Sequence, residues 1–513
     1  MLFNSIEFLF FFLPMVLAGF LLLQRIGNLR LIMLWLTACS LFFYAWWNPI
    51  YLLLLLVSGG VNYTLGGILA KGGKEQGHKL LVLGVCFNLG LLAYFKYGNF
   101  FLENAGLAMD WSFNFEHIIL PLAISFYTFQ QITYLVDTRK GLTASHGFIE
   151  YILFVSFFPQ LIAGPIVHHS EMLSQFSKLT DRSRTYSNLI IGFSILSIGL
   201  FKKVVIADGL ALFATPVFDM ALAGEALYTM DAVVGAISYT LQIYFDFSGY
   251  SDMAIGLACL FGMKLPVNFM SPYKSTSIAE YWRTWHITLS RFLREYLYIA
   301  LGGNRKGATR RYVNLFLTML LGGVWHGAGW SYFVWGALHG SYLIINHFWG
   351  SAKEKLGFGF FKSTLYLVMS WAATFVTLTL SFIIFRAETL TSGAHVLRSI
   401  FNWNGGQLEP AYQAKLELTN SIEFSNLLFN EPHILGVIFV WLAVSLAICL
   451  LLPNTFQLFR DYERILEPPL EGRRPFINLR WSATTAWAVF IALLAVASLT
   501  NLTQVTEFLY FQF

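Results

Sequence analysis

The chain has 513 residues, of which 57% are hydrophobic, 17% aromatic and only 12% charged; its mean hydropathy is +0.61. A soluble domain carries about twice that charged fraction, so most of this chain is expected to face lipid. The formal net charge of +5 is small and dispersed, which leaves nucleic acid without a basic patch to bind. The apolar residues come in long blocks without period-two alternation. That pattern excludes an outer-membrane barrel and leaves a helix bundle, the other way to satisfy backbone groups in lipid.

A hydrocarbon layer of about 30 Å takes about 20 helical residues. Apolar blocks near that length run over 5–24, 31–48, 50–70, 80–97, 186–201, 230–247, 329–348, 362–385, 433–452 and 480–500. Shorter or interrupted blocks lie at 119–136, 150–167, 208–224, 251–263 and 312–326. Helices broken by Gly and Pro at membrane depth are tolerated only inside protein or beside a water-filled cavity, so the middle of the chain is expected to hold one. The first residues offer no Lys or Arg ahead of the apolar run and no cleavage pattern after it, so the first block is expected to remain as a span.

Loop charges set an expected orientation. Arg25 and Arg30, then Lys71, Lys74 and Lys79, then Arg139 and Lys140 fall in alternate connections, while the intervening Trp47-Asn48-Pro49 turn is uncharged. By the positive-inside rule both termini are expected to face the periplasm, because Arg460, Arg464, Arg473, Arg474 and Arg480 mark a further inner loop before the last span. Lys178, Arg182 and Arg184 fit this count if the block at 150–167, with Pro159, Gly164 and Pro165, is re-entrant or broken. No polar interval is long enough for a soluble domain. The longest, 386–431, is expected to form surface helices, and 1–513 reads as a single integral-membrane domain without a repeat of 20 to 50 residues. Cys39, Cys86, Cys259 and Cys449 sit in apolar blocks with no CxxC spacing and read as packing residues.

Ionisable groups inside apolar segments are costly, and each is a candidate for function. The densest cluster runs from Tyr281 to Gly340. On a continuous helix Arg283, His286, Ser290 and Arg294 would fall within roughly 80° of one another, with Arg291 and Glu295 to one side. The plain reading is an amphipathic helix whose arginines reach lipid headgroups; the functional one is a wet seam lining a cavity. Downstream, Trp325-His326-Gly327 is flanked by Gly322, Gly323 and Gly329. Arg310 and Arg311 anchor the inner end of that block, and about 15 helical residues from there raise His326 by about 22 Å, to membrane depth. A hydrogen-bonded packing histidine is the plain alternative; the glycines, which permit close backbone approach, weigh toward a site. A neutral imidazole there can accept the proton of a hydroxyl and return it to a thiolate leaving group.

The remaining polar residues are expected to do less. His339 and His347 read as interfacial packing, and His168 and His169 as facing solvent. No HExxH, clustered His/Cys or paired-carboxylate pattern calls for a metal. Asp246 and Asp252 could orient a histidine or pair with Arg283 or Arg291. Arg305, Lys306, Arg310 and Arg311 are placed to meet coenzyme phosphates. There is no GxSxG elbow, Walker A loop, GxGxxG, or His with Asp five residues later.

Four stretches taken together carry a resemblance: Phe157-Phe158-Pro159-Gln160 with Gly164-Pro165, the segment around Asp246, the block from Tyr281 to Arg305, and Val324-Trp325-His326-Gly327. They resemble the membrane-bound O-acyltransferases, and among them the bacterial branch that O-acetylates alginate, over nearly the whole chain. The resemblance implies an all-α, polytopic membrane helix bundle with short, broken or re-entrant helices around a central tunnel. It implies an essential histidine in that tunnel, matching His326, and a second polar position lining it, matching His286. It also implies a donor entering from the cytoplasm and periplasmic partner proteins that complete transfer to the polysaccharide.

The resulting expectation is acetyl transfer across a bacterial inner membrane for exopolysaccharide acetylation. His326 and His286 are the catalytic pair, and Trp325, Arg283, Arg294 and Asp246 shape the substrate pocket. Acetyl-CoA is the expected donor, with no bound cofactor; a polysaccharide synthase complex and membrane lipids are the further expected partners. A transporter using the same histidine as a proton relay is the rival from another class, and a long-chain lipid acyltransferase is the third reading.

Overall fold

The computed structural model describes residues 1–110, 117–143, 146–403, 405–418, 434–462, 473 and 475–502; among them there are helices and turns but no strand. Arg464, Arg474 and the end of the polar interval at 386–431 lie outside the described residues. Among the described residues six helical segments are long and apolar enough to cross a membrane: Glu7–Ile26, Pro49–Lys71, Glu75–Met109, Thr185–Ala223, Thr364–Arg386 and Ile434–Leu451, with shorter apolar helices at Leu29–Ala45 and Thr485–Thr500. The chain divides into two compact units, residues 1–200 with 250–266 and 462–468, and residues 201–249 with 267–461 and 469–513.

In the first unit, α1 (Leu13–Ile26) ends at Gly27, whose φ of 74° is open to glycine at little cost. The side chain of Asn28 then caps α2 (Leu29–Ala45) by accepting the Leu31 N–H at 3.2 Å. Asn48 caps α3 (Pro49–Lys71) in the same way, with Pro49 in the first turn. α4 (Lys74–Leu92) and α5 (Gly98–Met109) are joined without a break by a π-turn at Ala93–Tyr97. Lipid offers little hydrophobic drive for helix association, and polar contacts take over. Gln131 on α6 (Ile124–Arg139) accepts from Ser58 at 2.7 Å and Asn62 at 2.9 Å, and Asn88 donates to Asn62 at 2.6 Å. This buried amide cluster fixes the register of α3, α4 and α6.

The block at 150–167 is broken, as its prolines predict: α7 (Phe148–Ser156) stops at Phe157 and α8 (Phe158–Leu161) restarts through Pro159. α9 (His169–Phe176) follows and packs on α6 and α7. His169 is fully buried rather than facing solvent, its ring 4.7 Å from Tyr134 and 5.1 Å from Phe154 between centroids. His168 is also drawn inward, its Nδ1 3.7 Å from Asp137. The fold-back of α9 beneath α6, invisible to local polarity, causes both departures.

Two further blocks join where the sequence pattern separates them. α10 (Thr185–Phe201) continues through a π-turn at Lys202–Ala207 into α11 (Asp208–Ala223), forming one helical run of 39 residues. α12 (Thr229–Leu260) runs 32 residues through the polar stretch at 248–252. Its residues 250–260 belong to the first unit, where Gly256 meets Gly192 of α10 so closely that a Cβ would lie 2.7 Å from the Gly192 carbonyl oxygen.

The second unit contains α13 (Ile278–Thr284), α14 (Ile287–Phe292), α15 (Gly307–His326), α16 (Trp330–Leu356) and α17 (Thr364–Arg386). The polar interval contributes α18 (Leu390–Phe401) and α19 (Pro410–Leu418), followed by α20 (Ile434–Leu451). α18 is more than a surface helix, since Val396 is fully buried against the core. Among the positive loop charges, Arg473 forks onto Glu280 (Nε to Oε1 2.6 Å) and Arg480 meets Asp461 at 3.4 Å. Cys39, Cys259 and Cys449 are buried free thiols, whereas Cys86 is exposed.

Candidate active site

The α15–α16 hairpin sets the position of His326. A Cβ on Gly323 would lie 2.4 Å from the Tyr332 carbonyl oxygen, and one on Gly336 would lie 2.8 Å from that of Met319. Glycine at these positions lets the two backbones touch, the small-residue packing typical of helices in lipid. His326 is the last residue of α15, and extended Gly327 and Gly329 turn the chain directly into α16. Its imidazole lies in an aromatic box, 5.0 Å from Trp325, 5.2 Å from Trp335 and 5.3 Å from Phe385 between ring centroids. His326 is half-buried.

His286 reaches the same Trp325 from the other side, at 6.5 Å. It does not share one helical face with Arg283, Ser290 and Arg294. The helix breaks at extended Trp285 and at His286 itself, whose φ of 42° and ψ of 54° place it in the left-handed region between α13 and α14. The loop ahead of α13 enforces this kink. The Ile287 N–H donates to the Asn268 carbonyl at 3.0 Å, and the Met270 N–H to that of Thr284 at 2.8 Å. The Asn268 Oδ1 lies 3.1 Å from His286 Nδ1 and accepts from the Thr288 hydroxyl at 2.9 Å. A side-chain oxygen there calls for Nδ1–H on His286, which leaves Nε2 as the acceptor. Nε2 is buried and has no protein partner. Phe247 packs edge-on to this ring at 4.7 Å.

Behind Trp335 sits His339, fully buried rather than interfacial. Trp282 Nε1–H donates to its Nδ1 at 3.2 Å, and its Nε2 lies 3.1 Å from Ser381 Oγ, which in turn donates to the Leu378 carbonyl at 2.8 Å. Every link is satisfied only if His339 carries its proton on Nε2. The His339 ring lies 4.5 Å from Trp335, so the relay fixes the wall against which His326 rests. The indole Nε1 of Trp335 is buried without a protein partner. A half-open aromatic box with two buried polar nitrogens at its walls fits a small polar group, such as an ester or thioester carbonyl.

The profile of the membrane-bound O-acyltransferase family matches residues 141–387. The chain is 42% identical to the peptidoglycan O-acetyltransferase of Helicobacter pylori over 90% of its own length and 91% of the relative's. It is 38% identical to the probable alginate O-acetylase AlgI of Pseudomonas putida over the full length of both. A teichoic acid D-alanyltransferase of Streptococcus thermophilus is 28% identical over 46% of the chain and 59% of its own length. The chain belongs to the membrane-bound O-acyltransferase family. It is an O-acyltransferase and a multi-pass membrane protein.

In this O-acyltransferase the other expected site residues separate. The Trp325 ring is within 5.0 Å of the His326 ring and 6.5 Å of the His286 ring. Asp246, together with Asp208, holds the buried Lys203, at 2.6 and 2.7 Å from Nζ. Arg294 points outward, 69% exposed, and pairs with its neighbour Glu295 at 3.1 Å. Arg305, Lys306 and Arg310 are exposed on a turn and helix start where Gly302, Gly303 and Gly307 take positive φ, whereas Arg311 is half-buried. Asn268, Trp335 and the Trp282–His339–Ser381 relay were missed. Asn268 precedes its histidine by 18 residues in an irregular loop, so no periodicity could connect them.

Proposed function

We propose that this chain transfers acetyl groups from a cytoplasmic thioester donor, acetyl-CoA, for O-acetylation of a cell-surface polysaccharide at the bacterial inner membrane. The convergence of His286 and His326 on Trp325, with the His326 ring half-buried, is the observation that carries this reading. His326 removes the proton from an acceptor hydroxyl as its oxygen attacks the thioester carbonyl. The C–O bond forms, the C–S bond breaks, and the imidazolium returns the proton to the departing thiolate. His286, with Nε2 as acceptor, positions donor or acceptor. The named relatives act on alginate and peptidoglycan, so both are the first acceptors to try, and periplasmic partner proteins are the expected route from the membrane to the polymer.

Purified protein supplied with labelled acetyl-CoA and a hydroxyl acceptor tests the chemistry. We expect label on the acceptor, and His326→Ala to lower transfer at least a hundredfold while the protein stays folded and inserted. A channel or transporter would move label across a vesicle wall without forming an ester. Ester formation at the wild-type rate in His326→Ala would remove the general base from this account.

A further inference from the structure

Two buried nitrogens around His326 and His286 have no partner among the described residues, and they are of opposite kinds. The Trp335 indole Nε1–H can only donate, whereas His286 Nε2, with its Nδ1 committed to Asn268, accepts. Trp335 also shares its helix face with a second unsatisfied group. Ser331 stands four residues earlier on α16, so the two side chains lie one above the other. Each residue is only 3% exposed, and the Ser331 hydroxyl likewise has no partner among the described residues. Long helical side chains lean toward the turn on their N-terminal side, which carries the indole back toward Ser331. Trp335 turns this face to His326, the two rings edge-on with 5.2 Å between centroids.

Ser331 belongs to the first turn of α16, which starts after Gly329 with no side-chain cap. The first N–H groups of a helix have no acceptor within it, and the positive pole of the helix dipole lies at that end. The rings around His326, those of Trp325, Trp335 and Phe385, carry no charge. Acyl transfer nevertheless creates charge beside the imidazole. As the hydroxyl oxygen bonds to the thioester carbon, the carbonyl π pair moves onto oxygen and His326 takes the proton. The C=O bond then re-forms, the C–S bond breaks, and the thiolate takes the proton back from His326. The transient oxyanion is stabilised by donors already aimed at it. We propose that Trp335 Nε1–H and Ser331, at the uncapped start of α16, form the oxyanion hole for the acyl carbonyl.

The assignment rests on the acyl-transfer reading and divides its two substrates between two walls. A thioester carbonyl can only accept a hydrogen bond, so of the two unpartnered nitrogens it matches Trp335 Nε1–H alone. His286 Nε2 is left for the acceptor hydroxyl, which has a proton to donate. The indole is held in place before any substrate arrives, its ring 4.5 Å from His339, 5.0 Å from Phe385 and 5.9 Å from Trp282 between centroids. A donor fixed in this way needs no reorganisation at the moment of reaction.

The test uses the full chain in nanodiscs with labelled acetyl-CoA and a hydroxyl acceptor. Trp335 is replaced by benzothienylalanine, which keeps the bicyclic shape and puts sulfur in place of the N–H. Ser331→Ala is the second variant, and benzothienylalanine at exposed Trp349, far along α16, is the control. Loss of the indole N–H is expected to lower kcat about a hundredfold with KM little changed, Ser331→Ala to lower it about tenfold, and the Trp349 replacement to leave it as in wild type. A second readout needs no turnover. Acetyl-CoA with an isotopically labelled carbonyl is bound to His326→Ala and its infrared band recorded; the band is expected below its position in water, and to move back up when benzothienylalanine also stands at 335. Wild-type kcat in the Trp335 replacement overturns the proposal, and so does a fall in kcat that leaves the carbonyl band unmoved, because packing alone would do that. Wild-type kcat in Ser331→Ala overturns the share given to Ser331. A wild-type chain that forms no labelled ester removes the acyl-transfer reading and this site with it, whereas ester formation that ignores the indole N–H overturns the site alone.

Discussion

At the scale of single residues, the site depends on side chains that hold the histidines as much as on the histidines themselves. Asn268 Oδ1 serves His286 and Thr288 together, at 3.1 and 2.9 Å. Replacing it by Ala strands buried donors, at about 1–3 kcal/mol each. We expect Asn268→Ala to lower the acetyl-transfer rate at least tenfold while leaving insertion intact, as a labelled-acetate assay beside a detergent-solubilised unfolding curve will show. Lys203 is the sharper case for stability. Lys203→Met removes the buried cation that lies 2.7 Å from Asp208 and 2.6 Å from Asp246, and loss of one member of a buried ion pair costs about 3–5 kcal/mol. Lowered expression and a lower unfolding midpoint are expected, with recovery when Asp208→Asn and Asp246→Asn are added; an unchanged midpoint in Lys203→Met would show that the pair carries no stability. His326 stands out as a candidate in the sequence because glycines and tryptophans surround it. Asn268 and His339 were not, because their roles exist only after distant segments meet.

At the scale of elements, apolar length predicts where helices are, and it misses how they join. The π-turns at Ala93–Tyr97 and Lys202–Ala207 carry helices past a change in polarity that reads as a boundary. At 283–294 the error runs the other way, since a periodicity of 3.6 assumes a backbone that His286 interrupts. Gly322, Gly323, Gly327 and Gly329 are read from the sequence as permitting close approach, and of these Gly323 meets the facing backbone. Gly323 and Gly329 make a controlled pair of tests: a Cβ meets the Tyr332 carbonyl oxygen at 2.4 Å in the first and only the Tyr332 ring at 3.5 Å in the second. Gly323→Ala is expected to push the hairpin apart, lower the unfolding temperature and reduce transfer, and Gly329→Ala to leave both close to wild type. Equal effects of the two substitutions would mean that backbone proximity does not set the position of His326.

At the scale of the whole molecule, composition alone was enough for the class: a chain with 12% charged residues has too little polar surface for water and too few strand patterns for a barrel. Sidedness rests on fewer charges, those at Arg25, Arg30, Lys71, Lys79, Arg139 and Lys140. They predict that a protease-cleavable tag fused ahead of Met1 is cut in intact spheroplasts, while one inserted after Lys140 is cut only after lysis. The reverse pattern would place donor and acceptor on the opposite faces from those proposed.

The left-handed backbone at His286 bears on how the residue should be probed. A non-glycine residue pays about 1–2 kcal/mol to stay there, so an alanine scan removes the ring and leaves that strain uncompensated, and glycine removes both at once. Asparagine tolerates the same dihedral angles and keeps a hydrogen-bonding amide, which makes His286→Asn the variant that isolates what the imidazole contributes from what the bend requires.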